Sequence, residues 1–119
     1  LDKLVVETLS YLSNKYSVSS PQYRLDVDLG APYGEYVNNP DMILISKKLR
    51  LESKSVDQYL QVIIHEFTHH MDKVELVSMG KDWDVEYTNK QDFYEMRAES
   101  LATKEGKLLL KKFCKDGKL

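Results

Sequence analysis

The sequence predicts an α+β domain: an N-terminal helix, a small three-stranded antiparallel sheet, and two long helices that fill the second half. Three observations predict it. Apolar residues recur at helical spacing over residues 2–16, three short β-patterned runs separated by turn residues follow between 23 and 46, and from Ser55 onward the pattern is helical again. Residues 1–119 read as a single domain, long enough to bury a core and too short for two. No repeat, low-complexity segment or linker divides them.

In the first helix Leu4, Val5, Leu9, Leu12 and Tyr16 share a face, and residues 17–22, with Pro21, break it. Residues 23–29 alternate strictly, with Tyr23, Leu25, Val27 and Leu29 on one face and Arg24, Asp26 and Asp28 on the other, the pattern of a half-buried strand. Residues 30–34 hold two glycines and Pro32 and read as a turn; 35–37 are a short second strand; 38–41, with Asn39 and Pro40, are a second turn. Residues 42–46 are apolar enough to be a largely buried third strand, which completes a meander. Ser55 and Gln58 have the spacing of a capping box, so a helix should start there and run to about Val74. Its core stripe is Val56, Leu60, Ile63, Phe67 and Met71; Gln58, Val62, His65, His69 and Asp72 form the neighbouring stripe. Residues 79–91 are polar around one tryptophan and read as a loop. A last helix runs from about residue 89 or 91 to Phe113, with Gly106 a weak point inside it.

Composition narrows the classes of function. The chain is 42% apolar and 30% charged, as in ordinary globular proteins, and its 19 acids against 17 bases leave a net charge of −2. That balance provides no electrostatic footprint for nucleic acid and no polybasic patch for a membrane surface. Cys114 is the single cysteine, so no intramolecular disulfide framework exists. No apolar run approaches membrane-spanning length and no secretory signal pattern opens the chain, which begins at Leu1. A cytoplasmic protein with neither nucleic-acid nor membrane partners is the expectation.

The chemistry is concentrated in residues 65–70, which hold all three histidines. His65-Glu66-Phe67-Thr68-His69 spells H-E-x-x-H inside the amphipathic helix. Residues four apart project from one side of a helix, so His65 and His69 can present two nitrogens to one zinc ion with Glu66 beside the open coordination position as a general base. A catalytic zinc takes three protein ligands and keeps a fourth position for water. His70 points about a hundred degrees away from His69 and is expected to cap the pocket or face solvent. Cys114 is isolated, so the third ligand should be a carboxylate, from among Glu75, Asp82, Asp84, Glu86, Asp92, Glu95 and Glu99. Glu95, Ala98, Glu99 and Ala102 form one stripe of the last helix. The alanines allow a close helix approach, and the two carboxylates one turn apart can serve one site, one on the metal and one behind it.

With residues 94–102, Tyr-Glu-Met-Arg-Ala-Glu-Ser-Leu-Ala, following the H-E-x-x-H segment, the chain resembles the gluzincin metallopeptidases. The second segment is similar to the E-x-x-A-D/N-x-F-A glutamate helix of ImmA/IrrE-type peptidases, and small phage and bacterial minigluzincins are of similar size. The resemblance implies that Glu95 is the third zinc ligand. Glu99 stands where the family has Asp or Asn supporting a zinc-binding histidine, and Leu101 where it has phenylalanine. Gly34-Glu35-Tyr36 with residues 42–46 resembles the family's short meander, whose last strand, here Ile43, Leu44 and Ile45, is the edge along which an extended substrate pairs. Residues 23–110 are covered. The implied activity is a zinc-dependent endopeptidase acting on an intracellular protein or peptide substrate, with a zinc-activated water and Glu66 as the base. Glu99 and Asp72 are candidates to hold the imidazoles from behind, and Tyr87, Tyr94, Arg97 or the Trp83 loop to stabilise an oxyanion. The alternative is a zinc-stabilised regulatory or interaction module with little or no catalysis; the intact Glu66 argues against it. SprT-type proteases of DNA-bound proteins share the motif, but the net charge and the lack of a basic tail or zinc ribbon count against that reading.

Overall fold

In a computed structural model, which describes residues 2–52 and 54–115, the chain folds as an α+β domain. Helix α1 (Asp2–Tyr16) buries Val5, Leu9 and Leu12, the stripe its spacing predicts. Strands β1 (Gln22–Val27), β2 (Gly34–Val37) and β3 (Met42–Ser46) form one sheet, and a short α2 (Lys48–Leu51) follows. Helices α3 (Val56–Ser78), α4 (Trp83–Asn89) and α5 (Gln91–Lys115) complete the fold. The main core joins α1, the inner face of the sheet, α3 and α5 through residues such as Leu12, Ile45, Ile63, Phe67 and Leu109. No helix among the described residues is long and apolar enough to cross a membrane.

The sheet is mixed, with strand order β1-β3-β2, where an antiparallel meander was expected. β3 pairs antiparallel with β2 and parallel with β1. Alternation in β1 does set its faces: Tyr23, Leu25 and Val27 are half-buried, and Gln22, Arg24 and Asp26 are exposed. Alternation says nothing of the direction or identity of a partner strand. The centre goes to the strand with the most apolar inner face, since Ile43 and Ile45 are both 0% exposed.

Helix α3 starts as its capping box dictates. Ser55 Oγ accepts the Gln58 backbone N–H at 3.3 Å, and Gln58 Oε1 accepts the Ser55 N–H at 3.1 Å. It runs beyond Val74 to Ser78 and stops where Gly80 takes φ +74°, which lets the Lys81 N–H reach the Leu76 carbonyl at 2.8 Å. The polar segment expected to be a loop contains α4. Asp82 caps it by accepting the Val85 N–H at 3.0 Å, and Trp83 at its start is buried against His69 and Tyr94. Seven residues are too few for an apolar period to register. In α5 Ala98 and Ala102 are buried, and Gly106 faces α3: a Cβ there would lie 2.7 Å from Gln61 Nε2. The glycine that weakens the helix locally thus leaves room for the end of the Gln61 side chain.

His70 neither caps the pocket nor faces solvent. It is 1% exposed, and its Nε2–H donates to the Ser19 carbonyl at 2.7 Å, tying α3 to the α1–β1 connection. Burial pushes its pKa down, so the folded protein holds the neutral ring. His70→Ala should lower the unfolding free energy by about 1–3 kcal/mol by orphaning that carbonyl. The unfolded chain takes up the proton below about pH 6.5 and the folded chain resists it, so stability from this group falls as pH drops through that value. Urea unfolding at pH 7.5 and pH 5.5 checks both points: the gap between wild type and variant should narrow at the lower pH.

A candidate metal centre between two helices

His65 and His69 leave the same side of α3 one turn apart, their ring centroids 4.9 Å from each other. Across from them α5 brings Glu95. Its Oε2 lies 2.8 Å from His65 Nε2 and its Oε1 3.3 Å from His69 Nε2. One donor atom from each of the three lies within 4.8 Å of the others, so His65, His69 and Glu95 can hold a metal ion. The donor chemistry fits a divalent cation. Burial above all holds His69 down, to about 4, against the opposing pull of Glu95, so the ring is neutral and its lone pair free for a metal. Of the seven carboxylates that spacing left open, the chain's path through α4 into α5 selects Glu95.

Two further carboxylates were expected behind the imidazoles. Glu99, one turn beyond Glu95, reaches His65 Nδ1 at 2.8 Å despite its longer side chain. Asp72 does not serve a histidine. Three residues past His69 it meets Arg97 of α5, whose Nη2 is 2.8 Å from Asp72 Oδ1, and this ion pair holds its carboxylate. His69 Nδ1 is buried with no hydrogen-bond partner among the described residues.

Glu66 sits outside the donor set and beside it. Its Oε2 is 4.0 Å from His65 Nε2, and the residue is 7% exposed. Burial, then the nearby charges of Glu95 and Glu35, push its carboxyl up to about 8, while the Tyr36 backbone N–H opposes the shift by donating to it. The approach of β2 that makes this contact requires Gly34. A Cβ there would stand 2.6 Å from Val62 Cγ1 and 3.2 Å from Glu66 Cγ.

The strand expected to be a free edge is not one. Ile43, Leu44 and Ile45 belong to the central strand, which is hydrogen-bonded on both sides and cannot accept another. The free edge beside the site is β2. The Ser46 N–H donates to the Tyr33 carbonyl at 2.8 Å, and in an antiparallel ladder hydrogen-bonded pairs alternate. Gly34 and Tyr36 therefore turn their backbone polar groups away from β3. A cleft of about 630 Å³ opens along this edge, with His65, Glu66 and His69 on its floor and Tyr87 and Glu95 opposite.

Among the residues considered for an oxyanion, Tyr87 on α4 has its hydroxyl at the ligand set, where it donates to Glu95. Tyr94 is packed in a cluster with Leu76 and Trp83, and Arg97 is committed to Asp72. Trp83 lines the cleft and packs on the His69 ring at 5.6 Å. Gly34 and Tyr36 were legible only as turn and strand residues, with no signal that they would meet Glu66. No known protein family, no curated protein and no solved structure matches this chain.

Proposed function

We propose that this protein is a zinc-dependent peptidase of the gluzincin kind, as its H-E-x-x-H and glutamate-helix segments suggest. The observation that carries the reading is Glu66: a buried carboxylate held beside the His65, His69 and Glu95 donor set but not part of it. A metal that only fastened α3 to α5 would need no such neighbour. Zinc is favoured over harder ions by two imidazoles with one carboxylate; bound there it supplies Lewis acidity toward a carbonyl and makes a water more acidic.

The remaining work belongs to the chain. Glu66, buried beside the donor set and outside it, takes the proton of the attacking water and passes it to the leaving amine. Glu99 holds the Nδ1 side of His65, which orients the ring and directs Nε2 toward Glu95. The Tyr87 hydroxyl, which donates to Glu95 in the free protein, would turn to the oxygen that becomes charged once Glu95 is engaged by the metal. The outward Gly34 backbone groups and the outward Tyr36 carbonyl pair with an extended peptide and lay its scissile bond along the cleft, while the Tyr36 N–H stays with Glu66.

The test is zinc analysis of the purified protein with hydrolysis of unfolded casein. One zinc per chain should be found, cleavage should stop on chelation, and zinc should restore it. Tight zinc binding with no cleavage of casein or of a diverse peptide library would instead mark a zinc-held interaction module.

A further inference from the structure

The cleft has an asymmetry of charge that the proposed reaction does not use. Five carboxylates line it, from Glu35, Glu66, Asp84, Glu95 and Glu99, and no lysine or arginine does. Elsewhere in this chain acids are commonly paired with bases, as in Lys15–Glu105, Arg50–Asp26, Lys73–Asp41 and Arg97–Asp72. A divalent ion on the His65, His69 and Glu95 donors would offset the charge of Glu95 and of Glu66 when ionised, and Glu99 is engaged by His65. Glu35 and Asp84 remain, and neither has an ion-pair or hydrogen-bond partner among the described residues.

Their positions matter as much as their charge. Glu35 lies on β2 between Gly34 and Tyr36, the two residues whose backbone groups face outward from the free edge. Its side chain is on the opposite face of the strand from Gly34, because neighbours alternate. A peptide extended along that edge brings alternate side chains beside Glu35, in the position where opposite charges stabilise a strand pair. Asp84 stands in the first turn of α4 on the other wall, next to Trp83 and close to Tyr36. An open cleft, an unpaired strand edge and a candidate metal centre thus lie between two unneutralised carboxylates.

Resting on the peptidase reading, we propose that the cleft selects extended peptides carrying lysine or arginine on both sides of the bond presented to Glu66, with Glu35 and Asp84 as the residues that determine this preference. Acidic peptides are rejected by the same field, which is strongest at low salt and screened over about 10 Å at 0.1 M.

Binding is measured separately from cleavage so that each claim can fail alone. Fluorescence anisotropy of zinc-loaded Glu66→Gln protein should show a seven-residue peptide with two lysines binding about tenfold tighter than the same peptide with two glutamates at low ionic strength, a difference that shrinks with added salt. Adding Glu35→Gln and Asp84→Asn should remove most of that difference. Asp57→Asn with Glu75→Gln, which removes the same charge outside the cleft, should retain it. Equal binding of the two peptides, or a preference untouched by the cleft pair, overturns the inference. In parallel, wild-type protein acts on a proteome-derived peptide library read by mass spectrometry, where basic residues should be enriched around the cut sites. Cuts without such enrichment overturn the inference and leave the peptidase reading standing. A lysine preference in binding with no cuts at all keeps the preference and removes the peptidase.

Discussion

Glu66→Gln should abolish measurable peptide hydrolysis while leaving zinc in place, with kcat lower by about 10²–10⁴. Glutamine is nearly isosteric, and its carbonyl oxygen can still accept the Tyr36 backbone N–H that the carboxylate accepts. Being of the same size, it keeps the space beside Gly34, where a Cβ would stand 3.2 Å from Glu66 Cγ. The missing capacity is to bind and release a proton. The fold should not suffer, because burial pushes this carboxyl upward and so disfavours its charged form. Replacing it with a neutral amide relieves that penalty, and the variant's thermal midpoint should equal or exceed that of wild type. A fluorogenic peptide assay with metal analysis on the same samples checks the prediction. A variant that retains zinc and full activity would remove Glu66 from the chemistry.

Glu95→Ala should have the largest effect on metal affinity, weakening zinc by well over the roughly 10–100-fold expected for Glu99→Ala. The two residues are one turn apart on α5, but Glu95 contacts both Nε2 atoms, whereas Glu99 reaches only the far side of His65. Metal bound to the folded state alone stabilises it by mass action, by about 4 kcal/mol when free zinc is a thousand times the dissociation constant. For a domain of this size that corresponds to a shift in thermal midpoint on the order of 10 °C. Wild type should show that shift on adding zinc and lose it with chelator, Glu99→Ala should show it at higher zinc concentrations, and Glu95→Ala should scarcely respond. If Glu99→Ala is the more damaging of the two, their roles are reversed.

Local signals account for most of the architecture. Ser55 and Gln58 mark the start of α3 because a capping box is satisfied within one turn, whatever surrounds it. The stripes of α1 and α3 face the core, buried at Val5, Leu9, Leu12, Leu60, Ile63 and Phe67 and half-buried at Leu4, Tyr16, Val56 and Met71, because a face of a helix is a property of spacing alone. α4 escaped notice for the opposite reason: its stability comes from Trp83 inserting between His69 and Tyr94, a contact between distant segments, and only the Asp82 cap is local. Strand order belongs to the same category. Residues 23–29 and 42–46 each display a face, but that β1 and β2 would flank β3, one parallel and one antiparallel, depends on how the chain closes over α3.

The candidate site divides along the same line. By itself the sequence determined that His65 and His69 share a face with Glu66 next to them, and that Glu95 and Glu99 lie on one stripe with two alanines, because the helical period acts over four residues. Only the tertiary structure decided that Glu95 meets both imidazoles while Glu99 stands behind one, that Asp72 belongs to Arg97 and His70 to Ser19, and that β2, held close by Gly34, is the open edge. Those choices turn on which surfaces come within hydrogen-bonding distance after the core has packed. Periodicity orients a side chain, and only the packed core selects its partner.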